Sequence, residues 1–82
     1  MGYKMPPNLL LDSIRKDLQL GSDRDLANIL DMQHATISRF RSNKYPLGPA
    51  LILAIHETVG YPVAKIREMH IEQLLINSGK RV

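Results

Sequence analysis

Acidic side chains are missing from the middle of this 82-residue sequence, where basic and hydrogen-bonding side chains are present. Between Asp31 and Glu57 there is no carboxylate, although the chain as a whole carries a formal net charge of only +3. The side chains there that carry or can acquire positive charge include His34, Arg39, Arg41 and Lys44. Such cations bind phosphate oxygens, and a nucleic-acid backbone that they neutralise releases condensed counterions. The same charges could instead form an ordinary solvated surface, so their placement on the predicted elements decides between the two interpretations.

Two short helices joined by a tight turn are predicted on either side of Asp31. Ser22 can cap a helix N-terminus, and Asp25, three residues later, can complete a capping box. A helix is therefore expected to begin at Asp23. Its apolar face combines residues spaced i, i+3 and i+4 with one small residue that lets a second helix approach: Leu26, Ile29, Leu30 and Ala27. Asp31 marks its end.

A second amphipathic pattern runs from about Gln33 to Arg41. Ile37 and Phe40 lie three residues apart and are predicted to enter the core, and Met32 falls in the turn. The side chains left on the outer face are polar or basic: Gln33, His34, Ser38, Arg39, Arg41 and Ser42. This helix is therefore expected to pack with one face and to present donors and acceptors with the other.

These two helices resemble the helix-turn-helix of the lambda-repressor-like family, to which Cro and the phage repressors belong. Small or apolar residues stand where the motif requires them: Leu26, Ala27, Leu30, Met32, Ile37 and Phe40. Asp31 departs from the pattern, because many members carry Gly at this turn position, but Asp tolerates a left-handed backbone better than most residues. The resemblance implies an all-α, compact five-helix domain at residues 8–76. Pro6 and Pro7 predict a flexible N-terminal arm at 1–7, because they lack backbone donors and favour extended conformations before them, and residues 77–82 form a C-terminal tail.

A further helix is predicted before the motif. Asn8 can cap it, and it is expected to run to about Leu20 and to end at Gly21. Its apolar stripe has a spacing of four residues and comprises Leu10, Ile14 and Leu18.

Two more helices are predicted after a loop at residues 42–48. Pro49 fits the first position of a fourth helix that ends at Gly60, and Pro62 is expected to start the fifth in the same way. The core positions expected in these helices are Leu51, Ile52, Ile55, Val59, Val63, Ile66, Met69 or His70, and Leu74. Three further apolar residues of the fifth helix lie outside its single apolar face: Ile71, Leu75 and Ile76. They are expected to contact a partner subunit or, equally, to cap the core of the monomer.

The resemblance also implies which residues read base edges. They are placed at the start of the second motif helix and one turn further on: His34, Ala35, Ser38 and Arg39, with Gln33 bordering the set. Arg39 is the strongest candidate, because a guanidinium can pair with O6 and N7 of guanine in a contact worth roughly 1–3 kcal/mol of discrimination. It could instead bind a phosphate. Gln33 could cap the helix, contact a phosphate or reach adenine, and Ala35 offers a methyl group to thymine.

Phosphate contacts are expected from the residues that follow this helix, because their donors can fix register without reading sequence. These residues are Ser42, Asn43, Lys44 and Tyr45. Arg41 is expected to join them or to lie in solvent.

By this resemblance the chain is expected to be a sequence-specific, double-stranded DNA-binding transcriptional regulator of the Cro-like repressor type, from a phage, prophage or bacterium. Binding to an operator as a homodimer is expected, and the short chain favours regulation by occupancy alone. The alternative is a protein-interaction module, such as an antitoxin that binds a partner protein through its C-terminal helix. A helix-turn-helix fold does not by itself prove DNA binding.

Composition argues against several other classes. Without Cys there are no disulfides, no Cys-ligated zinc and no thiol catalysis. His34, His56 and His70 fall on different predicted helices, and the sequence has no H-E-x-x-H pair, Gly-rich phosphate loop or nucleophile elbow. We therefore expect no enzyme activity, cofactor, metal or small-molecule ligand. No apolar run approaches the roughly 20 residues that span a bilayer, so a soluble, cytoplasmic protein is expected.

Overall fold

Five α-helices, without a β-strand, form the part of the chain that the computed structural model describes, residues 6–79. They are α1 (Leu9–Asp17), α2 (Asp23–Ile29), α3 (His34–Arg41), α4 (Pro49–Val59) and α5 (Val63–Asn77). The predicted all-α, five-helix class is confirmed. Residues 1–5 of the predicted arm and 80–82 of the predicted tail lie outside the described residues. None of the described helices has the length and apolar character needed to cross a bilayer.

Side-chain caps start the first two helices. The Asn8 amide oxygen accepts the backbone N–H of Leu11 at 2.9 Å. The Ser22 hydroxyl accepts the backbone N–H of Asp25 at 3.1 Å, and α2 begins at Asp23 as predicted. The expected return bond from the Asp25 carboxylate to the Ser22 N–H does not form within residues 6–79. Each cap satisfies a first-turn donor that has no partner inside its helix.

All five helices contribute to one hydrophobic core. Its fully buried members are Leu10, Leu11, Ile14, Leu26, Ala27, Leu30, Ile37, Phe40, Leu51, Ile55, Tyr61 and Ile66. Leu11 was not part of the predicted stripe of α1, whereas the predicted Leu18 packs on the core while remaining half-buried. Ile29, predicted to belong to the apolar face of α2, is 42% exposed because it is the last residue of that helix.

Three helices end in the same way, with a left-handed residue that is not glycine. Gln19 and Asp31 have a φ of +56° and Asn43 has a φ of +63°. After Asp31, the N–H of Met32 donates to the carbonyl of Ala27 at 2.9 Å, which closes a Schellman motif. The left-handed backbone predicted at Asp31 is therefore confirmed.

The end of α1 differs from the prediction. The helix stops at Asp17, and Gln19 rather than Gly21 adopts the left-handed conformation. The N–H of Leu20 donates to the carbonyl of Arg15 at 2.8 Å, so the Schellman motif is already closed before Gly21. Glutamine rarely adopts this conformation, whereas glycine adopts it readily. The sequence therefore indicated Gly21, and not Gln19, as the residue that ends α1.

Proline and glycine delimit α4 and α5. Pro49 is the first residue of α4, and Gly60 ends that helix with a φ of +86°, as predicted. Pro62, however, lies at the N-cap of α5 in an extended conformation, and Val63 is the first helical residue. The helix therefore starts one residue later than predicted.

The inward face of α5 contains a glutamine where leucine was expected. Gln73 is 5% exposed, whereas the predicted core residues Leu74 and Val63 are 46% and 38% exposed. The Gln73 side-chain oxygen accepts the backbone N–H of Leu9 at 2.8 Å. Since Leu9 begins α1, this bond satisfies another first-turn donor and joins the first helix to the last.

Replacing Asp31 with glycine is expected to stabilise the protein by about 0.5–1 kcal/mol, because glycine adopts the left-handed region without steric cost. The free energy of unfolding would be measured by urea denaturation followed by circular dichroism. Asn28→Gly is the matched control: Asn28 is exposed inside α2, and glycine there is expected to destabilise the protein by about 0.3 kcal/mol. Equal destabilisation by both substitutions would contradict this role of Asp31.

Candidate functional site

The five predicted base-reading residues lie on α3 and at its N-cap. All five side chains are exposed: Gln33, His34, Ala35, Ser38 and Arg39. On the opposite face, Ile37 and Phe40 are 0% and 1% exposed, as predicted. Burial of these two residues fixes which side of α3 meets water, so the helix presents one continuous polar surface.

The start of α3 lacks a side-chain cap. Gln33 occupies the N-cap position in an extended conformation, but its amide makes no capping hydrogen bond. Of the three roles considered for Gln33, side-chain capping is therefore not the one observed, and its amide remains available for a phosphate or for adenine. No acidic residue lies in the first turn of α3, so the positive end of the helix dipole is not neutralised locally.

Arg41 is buried, contrary to its predicted position in solvent or at a phosphate. It is 4% exposed and lies on the inner side of the last turn of α3. The reason is its spacing, because Arg41 follows the buried Ile37 by four residues and therefore shares its face. The predicted phosphate contact of Arg41 is thus corrected to a structural role.

The Arg41 guanidinium joins three segments of the chain. Its Nε and Nη2 donate to the two carboxylate oxygens of Asp23, at 2.7 and 2.9 Å. Nη2 also donates to Asp12 at 2.8 Å, and Nη1 donates to the backbone carbonyl of Pro6 at 2.9 Å. We call Arg41, Asp23 and Asp12 the buried ion cluster, in which Arg41 and Asp23 are buried and Asp12 is 47% exposed. It links α3 to the first residue of α2, to α1 and to the segment that precedes α1.

The charges in this cluster stabilise one another. Burial alone would lower the pKa of Arg41, but hydrogen bonds and charges from Asp23 and Asp12 raise it. Burial alone would raise the pKa of Asp12, but Arg41 and the backbone N–H of Asn8 lower it. Both ions therefore remain charged at neutral pH, and protonation of Asp12 in acid weakens the folded state.

The residues predicted to contact phosphates follow α3 and have different environments. Asn43 and Lys44 are exposed, and Ser42 is the half-buried C-cap of α3. Tyr45 packs against the core and is half-buried. The backbone N–H of Lys44 donates to the carbonyl of Arg39 at 2.8 Å, so this loop is fixed to the end of α3.

His70 of α5 packs against the buried side of α3. Its ring stacks on Phe40 with the ring centroids 5.5 Å apart, and burial lowers the pKa of His70. The same imidazole lines a cavity of about 360 Å³ together with Lys44 and Tyr45. His70 therefore contacts Phe40 of α3 and lines the same cavity as two residues of the loop after α3.

Sequence reasoning missed the partners of Arg41 because they are remote in the chain. Asp23 precedes Arg41 by 18 residues, and Asp12 precedes it by 29. The available signal was the position of Arg41 on the apolar stripe of α3, where a buried cation requires a carboxylate. Within residues 6–79, no three His, Asp or Glu side chains are grouped so that they could hold a metal ion.

Comparison with known proteins gives no relative: no family model, curated protein or solved structure matches this chain.

Removing the cation from the buried ion cluster is expected to be strongly destabilising. Arg41→Met keeps the length of the side chain but leaves the buried Asp23 with only the longer contact to Arg15, whose Nη1 lies 3.4 Å away. The loss of the closer partner is expected to cost up to about 3–5 kcal/mol. Thermal and urea unfolding by circular dichroism would measure the loss. The double variant Arg41→Met with Asp23→Asn is expected to be more stable than Arg41→Met alone, because the buried charge of Asp23 is removed together with that of Arg41. A loss below about 1 kcal/mol, or no recovery in the double variant, would contradict this role.

Protonation of His70 is expected to make the free energy of unfolding depend on pH in the mildly acidic range. Because its pKa is lower in the folded protein than the ordinary value of 6.5, the unfolded chain binds the proton first. The free energy of unfolding is therefore unaffected by protonation of His70 above about pH 6.5. It decreases as the pH falls from 6.5 toward the lower pKa of His70 in the folded protein, because protons bind preferentially to the unfolded chain. Unfolding free energies of the wild type and His70→Gln between pH 5 and 7.5 would measure it. His34→Gln controls for the loss of one exposed histidine, and identical pH slopes in wild type and His70→Gln would refute the prediction.

Proposed function

We propose that this chain binds double-stranded DNA in a sequence-specific manner and regulates transcription, with α3 in the major groove. The observation that carries the proposal is the exposed surface of α3, where His34, Ala35, Ser38 and Arg39 lie away from the buried Ile37 and Phe40, with Gln33 exposed at the N-cap. The major groove of B-DNA admits one α-helix and displays a distinct pattern of donors, acceptors and methyl groups for each base pair. In this proposal α2 and α3 act as a lambda-repressor-like helix-turn-helix.

Arg39 is assigned the central base contact. It is exposed, and it forms no salt bridge with any residue between 6 and 79. Its guanidinium can therefore pair with guanine without first breaking an internal contact. Gln33, His34, Ala35 and Ser38 supply the neighbouring polar and methyl contacts.

The backbone contacts are assigned to the start of α3 and to the loop after it. The uncapped first turn of α3 is a favourable place for a phosphate, since its backbone N–H groups and dipole attract anions. After the helix, Lys44 and Asn43 are exposed and Ser42 is partly accessible. Two phosphate contacts on opposite ends of α3 would fix its register in the groove.

A homodimer is part of the proposal. Four apolar residues of α5 are between 43% and 56% exposed: Ile71, Leu74, Leu75 and Ile76. Burial of such residues against a second copy is favourable, and two-fold symmetry would then place two α3 helices in successive major grooves about 34 Å apart. The bound site is accordingly expected to consist of two nearly palindromic half-sites.

The same exposed residues of α5 support a second candidate function, a module that binds a foreign protein. An antitoxin that uses its last helix to hold a partner would need this surface, and DNA binding would then be secondary. Light scattering of the purified protein distinguishes the two, because self-association at micromolar concentration favours the regulator. A stable monomer would leave the apolar surface for another protein.

Selection of DNA ligands from a random-sequence pool, followed by sequencing, is the direct test of the proposed function. The wild type is expected to enrich one motif with two half-sites. Arg39→Ala is expected to relax preference at one position of each half-site, with a loss of roughly 1–3 kcal/mol for the preferred base pair.

Lys16→Ala is the matched control for this selection, because Lys16 is an exposed cation on α1 that forms no salt bridge within the described residues. It is expected to enrich the same motif as the wild type. All proteins would be compared at one salt concentration, since phosphate contacts make affinity depend on salt. Binding without any enriched motif, or an unchanged motif in Arg39→Ala, would count against the proposal.

A further inference from the structure

A cavity of about 410 Å³ lies between α4 and α5, on residues that the proposed DNA contacts do not use. Its apolar lining consists of Leu47, Pro49, Ile52, Leu53 and Val63. His56 and Arg67 complete the lining, and no carboxylate takes part. This volume falls within the usual range for small-molecule sites, which are mostly apolar with a few polar groups.

The apolar wall of this cavity is still in contact with water. Leu53 is 54% exposed and Val63 is 38% exposed, although both belong to helices that pack on the core. Ile52 is half-buried between them and the interior. A hydrocarbon chain placed here would remove apolar surface of all three residues from water, which favours binding.

Arg67 gives the cavity a free cation. It is exposed, and its guanidinium forms no salt bridge or hydrogen bond with any residue that the structure describes. A guanidinium binds a carboxylate through two parallel hydrogen bonds, with a geometry that an uncharged or cationic group cannot satisfy. The charge of Arg67 is therefore available to a ligand.

His56 forms a fixed polar wall beside Arg67. Its Nδ1 lies 2.8 Å from the backbone carbonyl oxygen of Tyr61. Because a carbonyl only accepts, Nδ1 carries the hydrogen, and the ring is held against the turn between α4 and α5. The lining of the cavity thus contains one nitrogen-bearing side chain that is hydrogen-bonded to the backbone, His56, and one that has no partner within the described residues, Arg67.

The first residues of both α4 and α5 line the cavity. Pro49 and Val63 are the first residues of α4 and α5, and neither helix has a side-chain cap. The positive ends of two helix dipoles therefore border the cavity, and no acidic residue lies in the first turn of either helix. The last turn of α4, which contains His56, also borders the cavity, so the charge of Arg67 rather than the helix ends sets the preferred sign of ligand charge.

We propose that the cavity between α4 and α5 binds a small apolar carboxylate, independently of DNA. Its hydrocarbon part lies against Leu53, Val63 and the neighbouring apolar residues, and its carboxylate pairs with Arg67. Aliphatic acids of medium chain length fit both the volume and the charge.

Amide shifts in ¹H–¹⁵N correlation spectra, recorded with octanoate, test this site directly. Octanoate is expected to give saturable shifts around Leu47, Leu53 and Val63, with a Kd on the order of 0.1–1 mM for a ligand of this size. Octanol, which has the same chain without the charge, is expected to bind about tenfold more weakly because it lacks the charge-assisted pair. Octylamine is expected to give no saturable shifts.

Substitutions on the exposed wall separate this site from non-specific adsorption. Arg67→Ala is expected to weaken octanoate binding about tenfold, and Leu53→Asp is expected to abolish it, since a new carboxylate faces the ligand. Arg24→Ala, which removes an exposed cation on α2, is the matched control and should bind octanoate as the wild type does. Circular dichroism verifies that each variant is folded. Equal binding of octanol, shifts that centre on Ile71 and Leu75, or unchanged affinity in Arg67→Ala would each overturn the proposal.

Discussion

The position of α3 depends on a buried ion pair between Arg41 and Asp23. The guanidinium and the carboxylate are 4% and 3% exposed and are joined at 2.7 Å. A buried charge that loses its partner is costly, so neither residue can move away from the other while the protein remains folded. Because Asp23 is the first residue of α2 and Arg41 is the last residue of α3, this pair holds the far ends of two consecutive helices together.

This constraint divides the polar residues of α3 into two groups. Arg41 shares a face with Ile37 and is used inside the molecule, whereas Arg39 lies on the outer face with Ser38. Two arginines separated by one residue therefore have opposite roles, because a helix turns by about 200° over two residues. The basic character of the central segment is accordingly smaller at the surface than in the sequence, and Arg39 and Lys44 account for much of it.

The sequence allowed prediction of the features that depend on neighbouring residues. The caps at Asn8 and Ser22, the proline and glycine limits of α4, and the left-handed turn at Asp31 all follow from local chemistry and appear in the structure. The end of α1 was misplaced because Gln19 gives no comparable signal.

Features that depend on distant residues could not be predicted in the same way. Gln73 lies inside because the N–H of Leu9, 64 residues earlier, requires an acceptor. Arg41 lies inside because Asp23 is there to neutralise it. In both cases the helical register already indicated burial, seven residues after Ile66 and four after Ile37, and the polar residue type argued against it. Position in the helical repeat therefore predicted burial better than residue type did, because each of these two polar side chains has a partner on another helix that satisfies it.

The central claim is that the outer face of α3 contacts DNA, and mapping amide chemical shifts on addition of a duplex tests it most directly. A duplex of about 20 base pairs covers two half-sites one helical turn apart. We expect the largest shifts at residues 33–39 and 42–44, with little change along the exposed residues of α5. Shifts concentrated on α5 or absent from α3, with the protein folded and the duplex in excess, would contradict it.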